Sequence, residues 1–214
     1  MNYQLIIFDW DGTLMDSIDK IVICMQAAAE QEKQVIPTEQ SIKNIIGLSL
    51  LKAMQQLFPT LSLPEQEALV AAYKCQYTQS RHIVTPLYDG VKDLLIRLKA
   101  RGYTLAVATG KGRDGLDRML QQSATTTLFS ATICADEALS KPNPSMINQL
   151  LKRLNFTADQ ALMVGDSCYD LEMAANAGVD SIGVSYGVHS SQTLIASKPV
   201  TIIDCLATQL ENYI

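Results

Sequence analysis

The sequence predicts an α/β fold: a doubly wound parallel sheet with a small helical bundle inserted after its first strand. Short continuous apolar runs alternate with amphipathic stretches, one long interval carries helical patterns and no convincing strand, and acidic pairs close two of the apolar runs. Continuous runs suit strands covered on both faces, since a half-solvated strand would alternate polar and apolar residues. Strand and helix in alternation give the doubly wound architecture.

In chain order, residues 5–8 form the first apolar run and end at Asp9. The interval 15–83 reads as the inserted bundle, which leaves 1–14 and 84–214 for the core. Its first helix places Ile18, Ile21, Val22, Met25, Ala28 and Ala29 on one stripe at i, i+3, i+4 spacing. Two shorter helices fill residues 38–46 and 49–58, broken at Gly47. Pro64 suits a first helical position with Glu65 and Glu67 in the first turn, and Leu69, Ala72, Tyr73 and Tyr77 supply that helix's buried face. Pro86, Asp89 and Gly90 mark the return to the core, where helix 91–100 leads to the second strand, 104–108. Strands 131–134, 162–164 and 181–184 follow, with helices 115–121, 145–154 and 170–177 among them.

With 48% hydrophobic and 18% charged residues in a chain of 214, composition is that of an ordinary globular protein able to bury one large core and a smaller one. Acidic residues outnumber basic ones 22 to 17, so no positive field gathers nucleic acid or anionic lipid. The five cysteines, Cys24, Cys75, Cys134, Cys168 and Cys205, are scattered and form no C-x-x-C pair. They read as reduced thiols, and the expected compartment is cytoplasmic. No run approaches the ~20 apolar residues of a membrane span, and the run before Asp9 is too short for a signal-peptide core. The expected assembly is a monomer or a small homo-oligomer.

Asp9 and Asp11 follow the first strand, and Asp166 and Asp170 follow the fourth. In open α/β sheets the carboxyl ends of strands form the ligand crevice, so adjacent strands would bring the four acids together. Two carboxylates ~4 Å apart repel by roughly 4 kcal/mol at an effective dielectric near 20, so such a cluster needs raised pKa values or a cation. Oxygen ligands without His or Cys favour a hard ion, magnesium first. An isolated Asp-Gly pair is more often a plain turn; two acidic pairs, each closing an apolar strand, shift that balance. Gly12 and Thr13 open a turn whose backbone N–H groups could face an anion. The calcium-loop alternative lacks its third acid and its Glu. Thr109 ends the second strand. Lys141, set between the third and fourth strands in Lys141-Pro142-Asn143-Pro144, offers the cation that an acidic cluster and an incoming phosphate lack, although an isolated lysine is usually solvated.

In order along the chain, Asp9-Trp10-Asp11-Gly12-Thr13-Leu14, Thr109, Lys141 and Gly165-Asp166-Ser167-Cys168-Tyr169-Asp170 resemble the haloacid dehalogenase-like superfamily. Within it the pattern is similar to the phosphoglycolate phosphatase and β-phosphoglucomutase branch, and the likeness spans nearly the whole chain. The resemblance implies a Rossmann-like core with a helical cap and a phosphatase acting on a small phosphorylated metabolite: phosphoglycolate, a sugar phosphate or a nucleotide. Asp9 would attack phosphorus and carry an aspartyl-phosphate, and Asp11 would serve as acid and then base. Mg2+ would be held by Asp9, the Asp11 backbone carbonyl and Asp166, with Asp170 in support. Thr109 and the Gly110 amide would hold phosphoryl oxygens beside Gly12 and Thr13, with Lys141 balancing charge. Lys43, at a position often held by arginine, and Gly47-Leu48-Ser49 resemble the substrate loop of such caps; a lysine lacks the bidentate fork for a carboxylate. Asp11 separates the chain from the dehalogenases, whose leaving halide needs no proton, and no cap lysine stands out for phosphonate cleavage.

Alternatives stay open at this stage. A phosphomutase would return the phosphoryl group to a sugar, and a non-catalytic protein could share the fold, although no catalytic position is missing. Gly110-Lys111-Gly112-Arg113-Asp114-Gly115 fits the dinucleotide fingerprint, with Asp136 as its distant acid, which would make the chain an NAD-dependent oxidoreductase. His82 and His189 read as turn or surface residues, Cys168 as a packing residue with an open redox role, and Tyr186 and Gly187 as lining the crevice edge.

Overall fold

A computed structural model describes residues 3–214. Leu5–Phe8 forms β1, with every side chain buried. Ile6 and Phe8 enter one apolar cluster and Leu5 and Ile7 another, which is why the run shows no polar alternation. Four helices follow, α1 (Ile18–Gln31), α2 (Glu39–Lys43), α3 (Leu50–Leu57) and α4 (Leu63–Gln79), before α5 (Val91–Ala100) leads into β2 (Thr104–Ala108). Then come α6 (Arg113–Gln122), β3 (Ala131–Ile133), α7 (Ser145–Leu154), β4 (Ala161–Gly165), α8 (Cys168–Asn176) and β5 (Asp180–Val184). The chain ends with α9 (Ser191–Ile195), β6 (Thr201–Ile203) and α10 (Leu206–Gln209).

The six strands form one parallel sheet in the order β3-β2-β1-β4-β5-β6. From β1 the chain runs outward to β2 and β3, then returns to lay β4 on the other flank of β1. Phe8 is registered with Val164, so Asp9 and Asp166 leave the sheet on neighbouring strands at its carboxyl end. That is the switch point at which a doubly wound sheet opens a crevice. Leu94, Leu95 and Leu98 of α5 and Leu116 of α6 cover one face, and Met146, Ile147 and Leu150 of α7 with Met173 of α8 cover the other.

The four helices between β1 and α5 surround a third apolar cluster, built from Ile18, Ile21, Val22, Met25 and Ala29 of the predicted α1 stripe together with Ile42, Met54, Phe58 and Leu69, and Val188 joins it from the sheet side. Several boundaries differ from the sequence reading. The helix expected over 38–46 stops at Lys43, and Gly47, at φ +104°, sits in the turn that follows. Pro64 is the second helical residue: Ser62 caps α4, its N–H and hydroxyl both donating to Glu65 Oε2. Pro144 precedes α7, whose first N–H is taken by Asn143 Oδ1. Cys134 leaves the third strand because its N–H donates to Glu137 Oε2 in place of a ladder partner. The sixth strand was not anticipated. Among the described residues no helix is long and apolar enough to cross a membrane.

Gln66 is buried in α4, and its amide donates to the carbonyls of Phe58 and Leu61 at 3.1 Å each, tying the α3–α4 connection to the bundle. Gln66→Leu keeps the volume, strands the Leu61 carbonyl and leaves that of Phe58 with only the Leu61 N–H, so denaturant unfolding should show a loss of about 1–3 kcal/mol. An unchanged midpoint would mean that water satisfies those carbonyls.

Candidate active site

The carboxyl ends of β1 and β4 place Asp9 and Asp166 side by side, and the first turn of α8 brings Asp170 to them. Carboxylate oxygens of the three lie within 4.8 Å of one another, and none of the residues is more than 2% exposed. Lys141 reaches in from the loop before α7, its Nζ donating to Asp9 Oδ1 and Asp170 Oδ1 at 2.6 Å each. Asp170 Oδ2 accepts from the N–H and hydroxyl of Ser167, so this carboxylate caps its own helix while holding the lysine. Asp166 Oδ1 accepts from Thr13 Oγ1 and Oδ2 from the Val188 N–H, both at 2.8 Å. Gly12 makes this approach possible: it stands at φ +82°, and a Cβ there would lie 2.2 Å from Asp166 Oδ2.

Burial raises the Asp9 carboxyl well above its ordinary range; Lys141 opposes this, while Asp170 and Asp166 add to it. Burial and then the charge of Asp170 push Asp166 up to about 7, against the hydrogen bonds from Val188 and Thr13. Burial disfavours the Lys141 ammonium, but Asp170 and Asp9 outweigh it and hold its pKa above the usual lysine value. These shifts share one cause: three buried carboxylates face a single ammonium. The shortfall in positive charge, with oxygen as the only donor type, fits a hard divalent cation. Cys134, Asp136 and Glu137 also cluster, but Glu137 and Asp136 are committed to Arg113 and burial pushes the Cys134 thiol up to about 12. That set is not poised to ligate.

Asp11 stands apart from the three carboxylates. Its Oδ1 accepts from the Ser17 hydroxyl at 2.7 Å, and its Oδ2 pairs with Lys111 Nζ at 3.0 Å. Burial disfavours the Lys111 ammonium, yet Asp11 and the other nearby groups raise its pKa above the lysine norm. Thr109 is buried, and its hydroxyl accepts from the Lys111 N–H. Asp9, Asp11, Thr109 and Gly110 border a cavity of about 350 Å³, closed on the far side by the helical bundle. Gly110 meets that bundle directly, since a Cβ there would fall 2.5 Å from the Leu48 carbonyl oxygen and 2.6 Å from that of Gly47. Tyr169 donates to the Asn44 carbonyl across the same boundary.

Of the other residues singled out in the sequence, Gly12 spends its N–H on the Met15 carbonyl, and Thr13 spends its hydroxyl on Asp166. Gly47 lines the cavity. Lys43 does not; it pairs with Glu39 on the outside of α2 at 2.6 Å. Ser49 gives its N–H to Ser140 Oγ. Sequence reasoning passed over four contributors. Lys111 was read only as filler in a glycine pattern, although its place two residues after Thr109 was a usable signal. Ser17 and the Val188 N–H carried none. His189, expected near the surface, is buried with Nδ1 accepting from the Cys168 N–H, and burial lowers its pKa. Tyr186 donates to the Thr13 carbonyl and so braces the first loop. Burial, then Glu172 and Asp170, push the Cys168 thiol up to about 11, which disfavours the thiolate that redox chemistry requires.

A doubly wound sheet gathers three buried acids and a lysine at its switch point with a fourth acid beside them, and comparison with known proteins shows the class to which such a site belongs. The haloacid dehalogenase-like hydrolase family matches residues 6–184, and the chain belongs to that family. It is 37% identical over 207 residues to "Probable phosphatase IndB" of Dickeya dadantii, covering 94% of this chain and 89% of that protein. With the phosphoglycolate phosphatase of Vibrio cholerae it shares 32% identity over 97% of its own length and 96% of the relative's. The crystal structure of a predicted phosphoglycolate phosphatase from Haemophilus somnus superposes with a TM-score of 0.89 at 27% identity, covering 99% of this chain and 98% of that one. The oxidoreductase alternative falls here. Asp136 also occupies the N-terminus of α6, accepting the Arg113 N–H where a dinucleotide pyrophosphate would have to sit.

Gly12→Ala forces a side chain into a positive-φ turn and against Asp166. A thermal melt should show destabilisation of about 1–3 kcal/mol, and an unshifted melt would mean that the loop relaxes freely.

Proposed function

We propose that the protein is a Mg2+-dependent phosphatase that hydrolyses a small phosphorylated metabolite through an aspartyl-phosphate on Asp9. The observation that carries this reading is the buried constellation of Asp9, Asp166 and Asp170 around Lys141, with Asp11 adjacent but separately held. Asp9, Asp166 and the Asp11 backbone carbonyl would hold the ion, with Asp170 in support. When bound, Mg2+ would supply the missing positive charge and polarise the phosphoryl group.

Asp9 attacks phosphorus as the bond to the leaving oxygen breaks, and Asp11 delivers a proton to that oxygen. Asp11 then takes a proton from water as the water attacks the aspartyl-phosphate, which releases inorganic phosphate and restores Asp9. Thr109, Gly110 and Lys141 hold the phosphoryl oxygens and balance their charge. Ser17 and Lys111 fix the direction of the Asp11 carboxyl. We read the helical bundle as a cap domain spanning 15–83, whose Gly47-Leu48 turn rests on Gly110 and excludes water from the crevice. The substrate class named by the curated relatives, phosphoglycolate, is one candidate beside sugar phosphates and nucleoside monophosphates. Five cysteines without disulfide partners fit a reducing compartment, and we place the enzyme in the cytoplasm.

A screen of phosphomonoesters with and without Mg2+ tests the reading. Inorganic phosphate should appear only with the ion, chelation should stop its release, and Asp9→Asn should abolish it; a variant as active as the parent would end the nucleophile assignment. Phosphate release, as opposed to transfer onto a sugar hydroxyl, also separates hydrolysis from the mutase alternative.

Asp11→Asn should slow alkyl phosphates by about 10²–10⁴-fold, the usual worth of general acid catalysis. An activated aryl phosphate, whose leaving group needs no proton, should suffer far less in its phosphorylation step. Equal losses for both substrates would count against the acid role.

A further inference from the structure

Two cavities meet at Tyr77. The one over Asp9 and Thr109 occupies about 350 Å³, and a second of about 850 Å³ runs along residues 81–90 and α6; Tyr77, Thr78, Gly115 and Arg118 are walls of both. If the phosphatase reading holds, the first cavity receives the part of the substrate beyond its phosphate. The bundle's contribution to that wall is largely apolar, with Ile21, Met25, Ile45, Leu48, Leu50 and Ala53. Its cations are engaged or peripheral. The Lys111 side chain, 11% exposed, is paired with Asp11, and Arg113 is paired with Asp117 and Glu137. Lys74 and Arg118 are exposed at the rim. Lys43, the one bundle cation placed in the substrate loop by resemblance, is held by Glu39 outside the cavity. A carboxylate entering the inner part would lose its hydration and find no free cation in return.

One polar atom is left over. The Tyr77 hydroxyl is buried, and among the described residues it is the only buried side-chain nitrogen or oxygen without a hydrogen-bond partner. Its ring has Lys20 Nζ 4.6 Å and Lys111 Nζ 4.9 Å from the centroid, one lysine from each cavity. Two ammoniums over the ring fix its orientation, and Tyr73 stands beside it with centroids 5.8 Å apart, adding aromatic surface. Burial raises the phenol above its ordinary value against the charge and hydrogen bonding of Lys111; that ammonium can only donate, so the hydroxyl keeps its own proton to give. A buried hydroxyl left unpaired is destabilising until a partner arrives.

We propose that the substrate's organic part is uncharged, presents an apolar or planar face to the bundle, and carries a hydrogen-bond acceptor that the Tyr77 hydroxyl reads. Tyr77 is thus a specificity-determining residue that selects against a short carboxylate such as phosphoglycolate. The inference deepens the phosphatase reading and depends on it.

Steady-state kcat/KM for uridine 5′-monophosphate, benzyl phosphate and phosphoglycolate, in the parent and in Tyr77→Phe with Mg2+ present, tests it. Both uncharged-chain esters should exceed phosphoglycolate by about tenfold or more, and Tyr77→Phe should lower the ratio of the nucleotide to the benzyl ester about tenfold, the usual worth of one hydrogen bond. A general structural role for Tyr77 would lower both esters alike, and that result overturns the proposal. Preference for phosphoglycolate overturns it too, while leaving the phosphatase reading intact. Phosphate release from none of the three overturns both.

Discussion

Three carboxylates buried against one ammonium are the constraint from which the rest of the site follows. Bringing Asp9, Asp166 and Asp170 together is costly in a dry interior, and the fold offsets that cost with oriented donors. Lys141 bridges two of the three, Ser167 gives two hydrogens to Asp170, and Thr13 and the Val188 N–H each take an oxygen of Asp166. The turn after β1 needs glycine at position 12 because the Asp166 carboxylate occupies the space a side chain would fill. The residual negative charge is what a divalent ion would answer.

Separation of Asp11 from that cluster follows from the same electrostatics. Were its carboxylate turned toward Asp9 it would add a fourth negative charge to a site already short of positive ones. Ser17 and Lys111 hold it the other way, toward the cavity and the bundle. Two acids separated by one residue therefore occupy different surroundings: Asp9 faces Lys141 and the other carboxylates, and Asp11 faces Ser17 and Lys111.

The sequence carried the sheet's interior and the acids well because both are written locally. A buried strand such as Leu5–Phe8 is a continuous apolar run, and Asp9, Asp11, Asp166 and Asp170 sit at fixed offsets from strand ends. What escaped it depended on distance in sequence. The three residues of β6 are too few for any periodicity, and they find their place only by pairing with β5. Val188 acts through its backbone N–H, which any residue but proline supplies, and Ser17 is one serine among many until Asp11 is seen against it. Lys111 was masked by a glycine pattern that matched a different chemistry, and His189 is buried by a loop whose path no local pattern records. Lys43 differs in the opposite direction: the resemblance placed it by position, and an i, i+4 partner, Glu39, holds it on the helix surface.

The cap shows why chemistry and selectivity are legible at different depths. Reaction at phosphorus needs charges at set positions on rigid strands, and these are the residues this chain has in common with its family pattern. Selectivity needs only that the wall facing the leaving group match it in polarity, and many residue combinations on a helical bundle meet that requirement. In this chain the combination is seven apolar side chains, two tyrosines and no unpaired inner cation. Names shared with relatives at about a third identity therefore speak to the core's reaction more than to the molecule that enters it. The polarity of the wall, with one unsatisfied hydroxyl at Tyr77, is where this crevice departs from what the core's residues dictate.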